Sequence, residues 1–176
     1  MPLQTMKTDT PQTVYLKDYT PPAFLVDTVD LDFVIETGST TVTATLAVRR
    51  NPAVAAQPLV LDGDELETLS VAVDGQKWPF SETPTQLTLS DLPGAFTLTT
   101  EVRIQPDSNT RLSGLYRSKD GYFTQCEAQG FRRITWFLDR PDVMSTYTVT
   151  LHADKEKLPV LLANGNPVAA GDEADG

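Results

Sequence analysis

FLVDTVDLDFVIETGSTTVTATLAVRR, residues 24–50, decides the fold class. Beyond Phe24 apolar and polar residues alternate with a period of two, which sends successive side chains to opposite faces of a sheet. Val29, Leu31, Phe33 and Ile35 share one face, with Asp30 and Asp32 on the other. Val42, Ala44, Leu46 and Val48 repeat the pattern against Thr41, Thr43 and Thr45. Glu36-Thr37-Gly38-Ser39 supplies a turn between the two runs, so the stretch reads as a β-hairpin.

Outward from this hairpin the same alternation predicts strands at Leu69-Val71-Val73, Leu87-Leu89, Phe96 to Ile104 and Tyr147-Val149-Leu151. Asp74-Gly75 is a tight-turn signal, because glycine accepts the positive φ such turns require. Thirteen prolines and ten glycines divide the chain into short pieces. One short helical piece is expected from Pro141 through Asp142-Val143-Met144, with proline at a first helical position. The expected architecture is mainly β, an antiparallel sandwich or saddle-like bent sheet with short helical turns.

Residues 1–22, with Pro11, Pro21 and Pro22, read as an extended arm whose Tyr15, Leu16 and Tyr19 are available for docking. Residues 23–168 form the β-rich domain. The tail AAGDEADG, residues 169–176, has no apolar face and is expected to be disordered or a truncation point. A chain of 176 residues suits one domain, and at that size folding buries roughly two-thirds of the unfolded surface without disulfide staples.

The composition, 40% hydrophobic and 22% charged, is that of a soluble globular protein. A formal net charge of −10, from 24 acidic and 14 basic residues, repels phosphate backbones and anionic lipid. Nucleic acid and membrane are therefore not expected as partners. Cys126 is the only cysteine, which excludes an internal disulfide and suits a reducing cytoplasm. MPLQTMKTDTPQ at the start has no apolar stretch of signal-peptide length, and no later run approaches the ~20 residues of a membrane span.

The segment GYFTQCEAQGFRRITWFLDRPD, residues 121–142, differs from the strands around it. It gathers Glu127, Arg132, Arg133, Asp139, Arg140 and Asp142 among aromatic and small residues. If Thr124 to Ala128 is extended, Gln125 and Glu127 share one face and Cys126 faces the other way. An amide beside a carboxylate is an acceptor site for a cation, and a substrate ammonium would donate charge-assisted hydrogen bonds to it. The alternative is that Glu127 pairs with Arg132 or Arg133.

TQCEAQGFRRITWFLDRPDVMSTYTVTLHADKEKLPVLLANGNPV, residues 124–168, resembles the N-terminal domain of the bacterial aminopeptidase N family, zinc metallopeptidases of the gluzincin type. The resemblance extends through NTRLSGLYRS (Asn109 to Ser118), PLVLDGDEL (Pro58 to Leu66), TVTATLAVRRNP (Thr41 to Pro52) and YTPPAFLVDTVDLDF (Tyr19 to Phe33). It implies a β saddle that closes one side of a catalytic cleft belonging to the same parent chain. Residue by residue, it gives Gln125 and Glu127 the binding of a peptide substrate's free α-amino group. Three positions depart from the family pattern: Ser113 where LEGLY has glutamate, Phe123 where cysteine is frequent, and Gln129 in place of the glutamate of EAEGF.

The same resemblance implies a chain that ends before its catalytic domain and is inactive alone. The family's H-E-x-x-H zinc helix needs two histidines one helical turn apart, and this chain has only His152. The G-A-M-E-N motif is absent too. Zinc is thus expected in the full-length parent, with no catalytic residue and no metal ligand in this chain. His152 is expected on the polar face of its strand, Cys126 as a small packed thiol, and Trp78 and Trp136 in packing. Asp139 and Asp142 look like a charged turn rather than a glycosidase carboxylate pair. Because further strand sequence follows in the family, an exposed sheet edge and weak self-association are expected. The competing reading is a stand-alone, non-catalytic β-sandwich binding module.

Overall fold

The computed structural model describes residues 15–173. Pro11 and the rest of the first fourteen residues, and the last three of the tail, lie outside the described residues. The strands are β1 (Phe24–Glu36), β2 (Ser39–Arg50), β3 (Leu59–Asp62), β4 (Glu67–Val73), β5 (Gln76–Lys77) and β6 (Ser81–Thr83). They continue with β7 (Gln86–Leu89), β8 (Ala95–Ile104), β9 (Gly114–Ser118), β10 (Gly121–Gln125) and β11 (Thr146–Ala153). Helical structure among the described residues is limited to 3-10 turns at Leu16–Asp18, Pro106–Ser108 and Phe131–Arg133. The fold is mainly β.

The largest sheet has six strands in the order β11-β1-β2-β8-β4-β5. Its core face is built by cross-strand rows such as Leu31 beside Ala44 beside Thr100, and Val29 beside Leu46 beside Leu98. All of these side chains are buried. A three-stranded sheet, β3-β7-β6, adds Leu59, Leu61, Leu87 and Leu89 to the same core. Burial of such side chains, at about 1.5–3 kcal/mol each, is what offsets the entropy of ordering the sheets.

Two bulges change which residues face inward. The β1–β2 register slips between Val26 and Thr28, leaving Asp27 unopposed. Phe24 and Val26 are therefore buried at even positions, and Val29, Leu31 and Phe33 at odd ones. A second slip, between Thr68 and Ser70, leaves Leu69 38% exposed while Val71 and Val73 are buried. Leu69 thus does not share the buried face predicted for it.

Two further expectations are corrected. The principal sheet is mixed, because β11 runs parallel to β1, with Val29 opposite Tyr147 and Phe33 opposite Leu151. Parallel neighbours need a long connection, and here it spans residues 37–145, its final crossover stretch being residues 126–145 between β10 and β11. The helix expected at Pro141 is only a turn, with the Val143 amide donating to the Arg140 carbonyl at 3.2 Å. The next residues enter β11 within a few positions, too few to propagate a helical nucleus.

The crossover is itself part of the core. Ile134, Trp136, Phe137 and Leu138 are buried, and Trp136 donates its indole N–H to Thr68 Oγ1 at 2.8 Å. Its ring lies so close over Gly63 that any Cβ there would collide with it, which accounts for the glycine. Asp62 and Phe137 exchange backbone hydrogen bonds of 2.8 and 3.1 Å, tying β3 to the crossover. Phe131 packs edge to face on both Phe137, at 4.9 Å, and Tyr147, and the tilted Phe137–Tyr147 pair completes a cluster that joins the crossover to β11. Trp78 is partly buried and donates to the Ser90 carbonyl, so both tryptophans serve packing.

Of the N-terminal arm, Tyr15 and Leu16 are exposed, and Tyr19 donates its hydroxyl to Asp142 at 3.0 Å. The tail up to Glu173 lies on the surface and is touched by β11 and its following turn, through Lys155–Asp172 and His152–Glu173.

Candidate functional site

The β9–β10 hairpin carries the segment singled out above. Its strands pair from Gly121 opposite Ser118 to Gln125 opposite Gly114. Asp107 fastens its far end, accepting from Arg117 at 2.8 Å and from the Tyr122 hydroxyl at 2.7 Å. These two donors, Tyr122 foremost, hold the Asp107 carboxyl below the usual carboxylate range.

Strand β10 ends at Gln125, earlier than an extended Thr124–Ala128 requires, and the chain turns through residues 127–130. The peptide bond between Glu127 and Ala128 is cis. Despite the turn, Gln125 and Glu127 are both exposed, and Cys126 faces inward against the core. Burial, with a smaller contribution from Asp139, pushes the Cys126 thiol pKa up, which disfavours the nucleophilic thiolate. Gln125 donates its side-chain N–H to the Glu127 carbonyl at 3.4 Å, so its amide oxygen remains available as an acceptor.

The turn is closed by the Gly130 amide, which donates to the Cys126 carbonyl at 2.7 Å. A Cβ on Gly130 would stand 2.6 Å from the Gln125 carbonyl oxygen, 2.9 Å from Cys126 Cα and 2.9 Å from Ser113 Oγ. Only glycine lets the turn close this tightly against β9.

The neighbouring arginines do not pair with Glu127. Arg132 donates through Nε to Asp139 at 2.8 Å and lies 3.8 Å from Asp62. Arg133 forks between Asp64 and Glu65 on the loop after β3. Among the described residues the Glu127 carboxylate has no cationic side-chain partner. This removes the alternative in which Glu127 neutralises a local arginine.

Asp139 and Asp142 belong to separate ion pairs, since Asp142 is gripped by Arg140 at 2.7 Å. His152 lies on β11 between Asp32 and Glu173. Among the described residues no three His, Cys, Asp or Glu side chains are grouped to hold a metal ion. No helix among them is long and apolar enough to cross a membrane.

Fold and site together define a mixed-β domain that presents an amide and an uncompensated carboxylate on the turn after a short hairpin. The chain belongs to the Peptidase M1 N-terminal domain family, whose profile matches residues 25–176. Aminopeptidase N of Caulobacter vibrioides is 50% identical over 169 residues, covering 94% of this chain and 19% of the relative. Aminopeptidase N of Escherichia coli is 44% identical over 170 residues, covering 96% and 19%. The chain therefore spans about 19% of the length of the curated relatives it matches. Among solved structures, aminopeptidase A of Legionella pneumophila, in complex with aspartic acid, superposes with a TM-score of 0.79 at 30% identity, over 85% of this chain and 18% of that one. An M1 zinc metallopeptidase from Deinococcus radiodurans shares the fold at a TM-score of 0.61 and 20% identity, over 73% of this chain and 32% of that one.

Proposed function

We propose that this chain is the cleft-shaping, substrate-anchoring N-terminal domain of a zinc aminopeptidase that releases N-terminal residues from peptides. Gln125 and Glu127 hold the substrate's free α-ammonium. The observation that carries this reading is the exposed Glu127 carboxylate, beside the free Gln125 amide oxygen, in a segment whose arginines are paired elsewhere.

The chemistry follows from charge and position. An α-ammonium has three donors, which Glu127 and the Gln125 oxygen can accept as charge-assisted hydrogen bonds. A peptide presents that group only at its start, so fixing it places the first peptide bond at a constant distance from the anchor. Zinc hydrolysis is the work of the parent's catalytic portion, where the metal activates water; this chain binds and orients.

In the full-length parent, Glu127→Ala should cost about 2–5 kcal/mol of productive binding, because the ammonium is left partly unpaired. The measurement is kcat/KM on alanyl p-nitroanilide. A value equal to the parent's would take Glu127 out of the site. A stand-alone binding module is the other outcome, indicated if the native polypeptide in cells is no heavier than this chain and releases no p-nitroaniline.

The single cysteine and the charge balance support a cytoplasmic setting, away from nucleic acid and anionic membranes. The outer edge of β11 is unpaired among the described residues, and an open edge invites strand pairing. Weak self-association of this chain through that edge should appear as a sedimentation coefficient that rises with concentration; a constant monomer value rejects it.

A further inference from the structure

The turn holding Gln125 and Glu127 rests on a buried guanidinium. Arg133 is 7% exposed. Its two terminal nitrogens donate to Asp64 and Glu65, and its Nε donates to the Ser113 carbonyl at 3.2 Å. Ser113 leads directly into Gly114, the residue opposite Gln125 across the hairpin. Gly114 sits on the arginine itself: with φ +72°, a Cβ there would come within 2.6 Å of Arg133 Cβ. On the other flank, the Arg133 amide donates to the Gly130 carbonyl at 3.1 Å, and Gly130 closes the turn onto Cys126. Arg133 therefore touches both flanks of the turn and neither Gln125 nor Glu127 themselves.

Charge balance explains why the contact is mechanical. Arg111 also approaches Asp64 at 3.4 Å and Glu65 at 3.5 Å, so two guanidiniums meet two carboxylates. The neutralised cluster leaves Glu127 free of a competing cation. A planar fork satisfies two carboxylates and a carbonyl at once, a geometry that the single ammonium of lysine cannot reproduce.

We propose that Arg133 is a positioning residue for the amine-anchoring turn, clamping the entry to β9 and the Cys126–Gly130 closure so that Gln125 and Glu127 keep one geometry. The proposal rests on the reading of those two residues as amine acceptors. Its reach is from the β3–β4 loop, through the guanidinium, to the site.

The test uses the full-length enzyme, with Arg133→Met and Arg133→Lys made alone and together with the pair Gln125→Ala and Glu127→Ala. Arg133→Met should raise KM for alanyl p-nitroanilide about tenfold with kcat within about threefold, the signature of lost binding common to ground and transition states. Arg133→Lys should recover only part of it. In the background lacking both acceptors, Arg133→Met should add little, because residues acting through one another are not additive. The same KM penalty in both backgrounds would overturn the proposal.

Hydrogen exchange of the full-length Arg133→Lys protein supplies a readout independent of activity. Faster exchange confined to residues 110–130 supports the clamp, and acceleration spread equally over β1, β2 and β8 rejects it in favour of general destabilisation. If Gln125→Ala and Glu127→Ala both leave kcat/KM intact, the amine-anchoring reading fails, while the exchange pattern still decides whether Arg133 shapes the turn.

Discussion

Gly130 has backbone on two sides of the space where a side chain would go. Because the Gln125 carbonyl and Cys126 Cα are the nearest atoms, Gly130→Ala must displace the turn rather than a flexible side chain. Overpacking of this kind costs about 1–3 kcal/mol, so a lowered thermal midpoint is expected, with amide shifts concentrated at residues 113 and 125–130. Unchanged shifts there would contradict the tight closure. At this scale, Gln125 and Glu127 were legible as outward neighbours with an inward Cys126, since alternation outlasts the strand by a residue or two. The partners of Arg133 were not legible, because Asp64 and Glu65 lie 69 and 68 residues away and no local spacing announces them.

Strands were readable as elements because each carries its own alternation, yet the two bulges were not. A bulge is visible only as a change in parity, and Asp27 between Val26 and Val29 resembles any polar residue in a strand. Leu46 and Leu69 show the consequence, since both are strand leucines and only the first is fully buried. Leu46→Ala should cost about 2–5 kcal/mol through the cavity it leaves. Leu69→Ala, at a residue 38% exposed, should cost only about 1 kcal/mol, since it gives up partial burial and leaves no closed cavity. Urea unfolding of the two variants checks this; equal losses would place Leu69 in the core. The helix expected near Pro141 failed for a related reason, as a favourable first residue cannot substitute for the length needed to propagate one.

For the whole molecule, the parallel placement of β11 was beyond reach from the sequence, because a strand's pattern does not state its direction relative to a neighbour from the other end of the chain. That placement brings His152 beside Asp32 of β1 and Glu173 of the tail, at 3.1 and 3.0 Å. Hydrogen bonds to Glu173, first, and Asp32 raise the imidazole pKa above its ordinary value. A raised folded-state pKa makes the stabilisation fully present below the ordinary histidine pKa, and it is lost as pH rises through the folded one. NMR titration of the His152 ring should therefore show a midpoint above about 6.5, with resonances around Glu173 shifting over the same range. A midpoint at or below the ordinary value would remove the bridge.

The extra residue at Asp27 also works as a frame mark for the longest strand. Upstream of it Phe24 and Val26 are inward on one parity, and downstream Val29, Leu31 and Phe33 are inward on the other. Removing either residue between Val26 and Val29 merges the two parities into one alternation and costs only the bulge, whereas removing a residue elsewhere inside β1 turns the strand beyond it inside out against β2. The longest strand thus has one point, residues 27 and 28, at which its length can change by one without exchanging its inner and outer faces.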